Sequence, residues 1–190
     1  MSSATRTDRV RAAASGAVAG IAAYLLGYLV TYATQRGQVE EQLRAFNALT
    51  ELFGGDPLPA WQAVGWLFYN AHAVATEIPA PLGGTRVVNF IAETDGGSLS
   101  LLYAVPPVLL LVAGLVVARV AGAREPAAGA ASGALVVVGY LPLAAIGTFL
   151  FRYSVGEGAV APVLVTALLA GIVYPVVAGA IGGAAAVLRD

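Results

Sequence analysis

An all-α, polytopic membrane fold is what this sequence predicts. Four transmembrane helices form it, with an amphipathic helix capping the bundle on its outer side between the first and second spans. Three observations lead there. Apolar stretches at 13–34, 99–118, 127–151 and 159–188 contain no charged residue, and each reaches the roughly 20 residues a helix needs to cross about 30 Å of hydrocarbon. Only 11% of the 190 residues are charged while 58% are hydrophobic, against about a quarter charged in soluble domains. Charge is also unevenly placed along the chain. In hydrocarbon every backbone N–H and C=O needs an internal partner, which makes such stretches helices.

The first span follows Arg6, Arg9 and Arg11. By the positive-inside rule this end is cytoplasmic. Signal peptides have apolar cores of about 7–15 residues, and this stretch exceeds 20, which predicts a retained span. Four crossings then put the link with Arg119 and Arg124, and the tail with Arg189, on the cytoplasmic side too. The cytoplasmic parts carry a net charge of +3 and the outer parts −4, which sum to the chain's −1. The expected location is the cell membrane, with both termini in the cytoplasm and residues 35–98 as the main outer segment of one membrane domain, 1–190.

Small residues recur at four-residue spacing in every span: Gly16 and Gly20, Gly114 and Ala118, Gly129 and Gly133, Gly179 and Gly183. Such faces let helix backbones approach closely where lipid offers no hydrophobic drive to associate, so these eight residues are the expected packing positions. Pro106, Pro107, Pro142, Pro162 and Pro175 interrupt the later spans and predict kinks or local unwinding.

In the outer segment, residues 37–53 place Val39, Leu43, Phe46, Thr50 and Phe53 on one helical stripe, with Glu40 and Arg44 at i,i+4, predicting a helix that prolongs the first span or lies at the interface. Residues 60–78 read as an amphipathic helix. Gln62, Tyr69, His72 and Thr76 share one arc, and Trp66, Asn70 and Glu77 widen it, so the expected position is interfacial, capping the bundle with its polar face to water. Pro79 and Gly83-Gly84 then lead to Val87–Ile91, an extended piece.

Within that helix, Val64-Gly65-Trp66-Leu67-Phe68-Tyr69-Asn70-Ala71-His72 resembles a segment of small multi-pass membrane proteins of haloarchaea, a family without an established function and sometimes labelled transporter-like. The similarity extends to the arginine-led first span and the three later ones. It implies a membrane location and topology, and it brings no catalytic residue.

The densest polar group is Gln62, Tyr69, Asn70, His72, Thr76 and Glu77. It is the candidate site for handling a proton or ligand, since histidine titrates near neutral pH. With no cysteine and one histidine, thiolate chemistry and multi-histidine metal centres are excluded. The acids Glu40, Glu41, Glu51, Asp56, Glu93 and Asp95 lack EF-hand spacing and read as a solvated acidic loop. No phosphate-binding, nucleophile-elbow or zincin motif occurs, and no basic patch offers itself to nucleic acid. The expectation is no cofactor, no metal and no catalysis. Partners are the lipid bilayer and other membrane proteins or further copies of the chain. The leading function is a structural, assembly or accessory membrane component, and the alternative is a small-solute or ion transporter or channel.

Overall fold

A computed structural model describes residues 3–80, 83–94, 97–156 and 158–188. Asp95, Arg189 and the side chains of Arg6 and Arg9 lie outside that description. Six helices and four short strands follow in order: α1 (Ser3–Leu52), α2 (Ala60–Asn70), β1 (Thr76–Pro79), β2 (Thr85–Val88), a 3₁₀ segment (Ser98–Ala104), α3 (Val105–Val120), α4 (Pro126–Ala134), α5 (Val137–Leu150), β3 (Tyr153–Val155), β4 (Gly158–Pro162) and α6 (Leu164–Val187). Four helical stretches are long and apolar enough to cross a membrane: Val10–Leu52, Leu99–Val120, Pro126–Leu150 and Leu164–Val187. Their outward faces expose Leu25, Leu29, Val112, Val165, Leu169 and Ile181. So continuous an apolar surface fits a membrane location.

Both α1 and α5 ascend together, since Gly16 lies against Leu135 and Gly20 against Val136–Tyr140. By contrast α6 descends beside α4, with Gly129 on the Gly183 backbone and Gly133 on that of Gly179. Gly114 of α3 meets Gly179 as well, and Ala118 is fully buried. The described parts of 53–98 and 151–163 therefore gather at one end of the bundle, and the start of α1 and the end of α6 lie toward the other.

Several elements differ from expectation. The fold is not purely helical, because two hairpins join into an antiparallel sheet of order β2-β1-β4-β3. Thr76 pairs with both Val88 and Pro162, and Glu77 with Val87 and Ala161. The sheet claims 159–162 from the expected fourth span, and that helix starts at Leu164 instead. Pro106 and Pro107 occupy the first turn of α3, where a missing N–H costs nothing, so they start a helix rather than kink one. The third span breaks at Leu135–Val136, where Leu135 and Val136 donate to Ser132 and Gly133 three residues back, seven residues before Pro142.

The helix over 37–53 does prolong the first span, making α1 50 residues and about 75 Å long. Its buried stripe, however, is Thr31, Gln35, Val39, then half-buried Leu43 and Asn47, while Phe46 and Phe53 face outward. Asn47 explains the shift. Its amide donates to the Leu58 carbonyl at 3.0 Å and accepts from the Leu58 N–H at 2.9 Å, fastening the return loop to this face.

Candidate functional site in the bundle core

The 60–78 segment is not one helix lying on a surface. Only Ala60–Asn70 is helical, and Ala63 through Asn70 are all buried. The arc expected to face water faces α5 instead. The reason begins just past α5's C-terminus, where the carbonyls of Phe151 and Arg152 follow the helix end at Leu150 and are left for side chains to bond. Gln62 Nε2 donates to the Arg152 carbonyl at 2.9 Å, and Trp66 Nε1 donates to the Phe151 carbonyl at 2.7 Å. Seven residues back along the chain, about two turns deeper, the Tyr69 hydroxyl donates to Ala144 O at 2.5 Å. Deeper still, His72 Nε2 meets the Tyr140 hydroxyl at 2.5 Å. Polar side chains of α2 and of the turn after it thus descend α5 from its end to a point ten residues inside it, about 15 Å at the helical rise.

At its tip the chain reverses. Val74 N–H bonds to Tyr69 O and Ala73 N–H to Asn70 O, the 6→1 and 5→2 pair of a Schellman closure, with Ala73 in the left-handed region at φ 57°. Asn70 holds the reversal. Its Nδ2 donates to Val74 O at 2.8 Å and to Thr76 Oγ1 at 3.3 Å, and its Oδ1 accepts from Phe90 N–H at 2.8 Å. Asn70 and Thr76 are both fully buried. The Val163 N–H then bonds to Ala75 O at 3.0 Å, tying the returning strand to the start of α6.

Proton positions follow from these partners. A carbonyl only accepts, so His72 Nδ1–H donates to Phe68 O at 2.7 Å. Nε2 is then bare and accepts from Tyr140. Likewise Tyr69 gives its proton to Ala144 O, so Tyr24 donates to Tyr69 at 3.1 Å. Burial lowers the His72 pKa from 6.5 to about 4, opposed by the bond to the Phe68 carbonyl. Burial also pushes the Tyr69 phenol up. His72 is a neutral imidazole with both nitrogens engaged.

Of the six candidate residues, Gln62, Tyr69 and His72 therefore bind α5, Asn70 and Thr76 bind each other, and Glu77 sits half-buried in β1 away from them. The space beside His72, enclosed by Tyr24, Phe68, Tyr69, Val74 and Tyr140 among others, is about 10 Å³, near the minimum for one water. Among the described residues no three histidine, aspartate or glutamate side chains converge. Sequence reasoning missed Tyr24 and Tyr140 as partners. The available signal was the phenols themselves, because a tyrosine inside an apolar span needs a partner for its hydroxyl.

No curated protein and no solved structure matches this chain. One family model, described as a family of unknown function, matches residues 1–190, and the chain belongs to that family, DUF7978.

Proposed function

We propose that this protein is a non-enzymatic, four-span component of the cell membrane with a structural, assembly or accessory role. Its termini are cytoplasmic and its α2-and-sheet end faces outward. The observation that carries this reading is how the bundle's polar interior is used. Tyr24, Tyr69, His72 and Tyr140 spend their polar groups on one another or on Phe68 O and Ala144 O, leaving about 10 Å³ beside them. Such a core fastens α2 to α5. The arginine-rich termini support the orientation, and helix faces such as Gly129–Gly133 against Gly179–Gly183 support a tightly packed scaffold. Crosslinking and mild-detergent purification from the native membrane test the role: a recurrent membrane-protein partner or a homo-oligomer is expected, and a strictly solitary monomer overturns it.

A second reading, a small-solute or ion transporter, draws on α2 ending inside the bundle and on the break at Leu135–Val136, since discontinuous helices mark many transport sites. Flux in reconstituted liposomes that His72→Ala abolishes would favour it over the first. Absence of flux for a panel of ions and small solutes would remove it.

A further inference from the structure

At the end of the bundle that carries α2, a groove of about 350 Å³ runs between α1, α2 and the turn after β2, within the size range of small-ligand sites. Three glutamines from successive turns of α1, Gln35, Gln38 and Gln42, line one wall. Gln35 is only 5% exposed, yet its side chain makes one bond among the described residues, from Nε2 to Thr34 Oγ1 at 3.3 Å. Among the described residues no fully buried side-chain N or O lacks a partner, so Gln35 Oε1 reaches the open space of the groove. A nearly buried amide oxygen facing that space is placed to accept from a ligand's donor.

The lining also states what kind of ligand. Val39, Leu43, Leu67 and Leu99 supply apolar surface, and Leu99 begins the second membrane-length stretch. Trp66 and Phe90, stacked at 6.4 Å, close the back. Among the described residues Glu93 is the one charged residue lining it, and Arg86 pairs with it at 3.2 Å. Among the described lining residues a phosphate meets no cation, and the one carboxylate an ammonium could meet is paired with Arg86. Amides both donate and accept, which suits a head rich in hydroxyls.

We infer that this groove binds an uncharged amphiphile, a lipid with a polyol head seated among Gln35, Gln38 and Gln42 and its alkyl chain along the leucines. The inference rests on the reading that the four helices cross a bilayer. Native mass spectrometry of the full chain released from detergent tests it, with monoglucosyl diacylglycerol, phosphatidylglycerol and phosphatidylcholine of identical acyl chains as probes. The glucolipid should be retained at least about fivefold over the other two, the ratio that one net hydrogen bond of about 1 kcal/mol gives. Gln35→Leu, and separately the rim pair Gln38→Leu/Gln42→Leu, should erase the preference. Equal retention of the three lipids, or a preference untouched by either variant, overturns the groove assignment. Free methyl glucoside retained as well as the glucolipid overturns the lipid part. Release of the protein from membranes by alkaline carbonate would instead sink the bilayer reading beneath it.

Discussion

His72 Nε2 accepts the Tyr140 hydroxyl at 2.5 Å, joining the tip of α2 to the middle of the third membrane-length stretch. That one bond fixes several features together. It requires the Nδ1–H tautomer, which the Phe68 carbonyl holds. It sets how far α2 descends, because Trp66 and Tyr69 meet their α5 carbonyls at matching depths. It also leaves the ring against Phe68 at 4.7 Å and Tyr174 at 5.4 Å, so an apolar and phenolic shell surrounds a neutral imidazole.

Tyr140→Phe removes the donor and leaves His72 Nε2 buried without a partner. An unsatisfied buried acceptor costs about 1–3 kcal/mol, which thermal unfolding in detergent will read as a lowered midpoint. Tyr32→Phe is the control, because the Tyr32 hydroxyl makes no hydrogen bond among the described residues while its ring stacks on Tyr28. An unchanged midpoint for Tyr140→Phe would mean that the bond contributes nothing.

Stability should also depend on pH through this ring. The folded pKa of His72, about 4, lies below its ordinary 6.5. Between those values the unfolded chain takes up the proton and the folded one does not. The contribution is therefore complete above about pH 6.5 and is lost as pH falls toward 4, by at most roughly 1.4 kcal/mol per pH unit. Facing the ring are Tyr140 of α5, Tyr174 of α6 and Tyr24 of α1, together with the Phe68 carbonyl, and among the described residues no carboxylate lines that space to offset its charge. Unfolding midpoints measured from pH 7.5 to 4.5 should decline for the wild type and lose that component in His72→Asn. Parallel profiles for the two proteins would contradict the assignment.

The four membrane-length helices were legible because freedom from charge over about 20 residues leaves a helix little alternative. The fate of α2 was not. A helical wheel identifies which residues share a face, and Gln62, Tyr69 and His72 do share one. It does not identify the medium opposite, and here the medium is the carbonyl-rich C-terminus of α5 rather than water. The strands were hidden for a related reason. Gly158–Pro162 is as apolar as the span it adjoins, so composition merged them, and only pairing with Thr76 and Glu77 separates strand from helix. The groove went unread because Gln35, Gln38 and Gln42 look like an ordinary solvated helix face until Trp66 and Phe90 are packed opposite.

Two glycine-to-alanine changes should have opposite signs. At Gly147 a Cβ would overlap the hydroxyls of both Tyr24 and Tyr69, disturbing the chain in which Tyr24 donates to Tyr69 and Tyr69 to Ala144 O. Overpacking of this kind costs about 1–3 kcal/mol. At Gly37, on the exposed part of α1, a Cβ meets nothing within 4 Å, and replacing a mid-helix glycine by alanine is worth up to about 1 kcal/mol. Unfolding midpoints should fall for Gly147→Ala and rise for Gly37→Ala. A shift of the same sign in both would show that side-chain clearance at these positions is not what decides stability.

Ala73 offers the reverse test, a place where glycine should improve on the native residue. It closes α2 at φ 57°, a conformation that crowds an L-residue's Cβ against its own backbone and is usually given to glycine at this position. Its side chain is exposed, so deleting the methyl group opens no cavity, and the Schellman bonds from Ala73 and Val74 use only backbone. Ala73→Gly should therefore raise the unfolding midpoint by the equivalent of about 0.5–1 kcal/mol, the balance of relieved strain over the added freedom of the unfolded chain. Ala73→Val adds β-branching to a left-handed residue and should lower it by more than that. Because the same turn sets the depth of His72, Ala73→Val should also weaken the pH response described above, while Ala73→Gly keeps it. A valine that leaves both midpoint and pH profile unchanged would show that the reversal after Asn70 does not take this left-handed path.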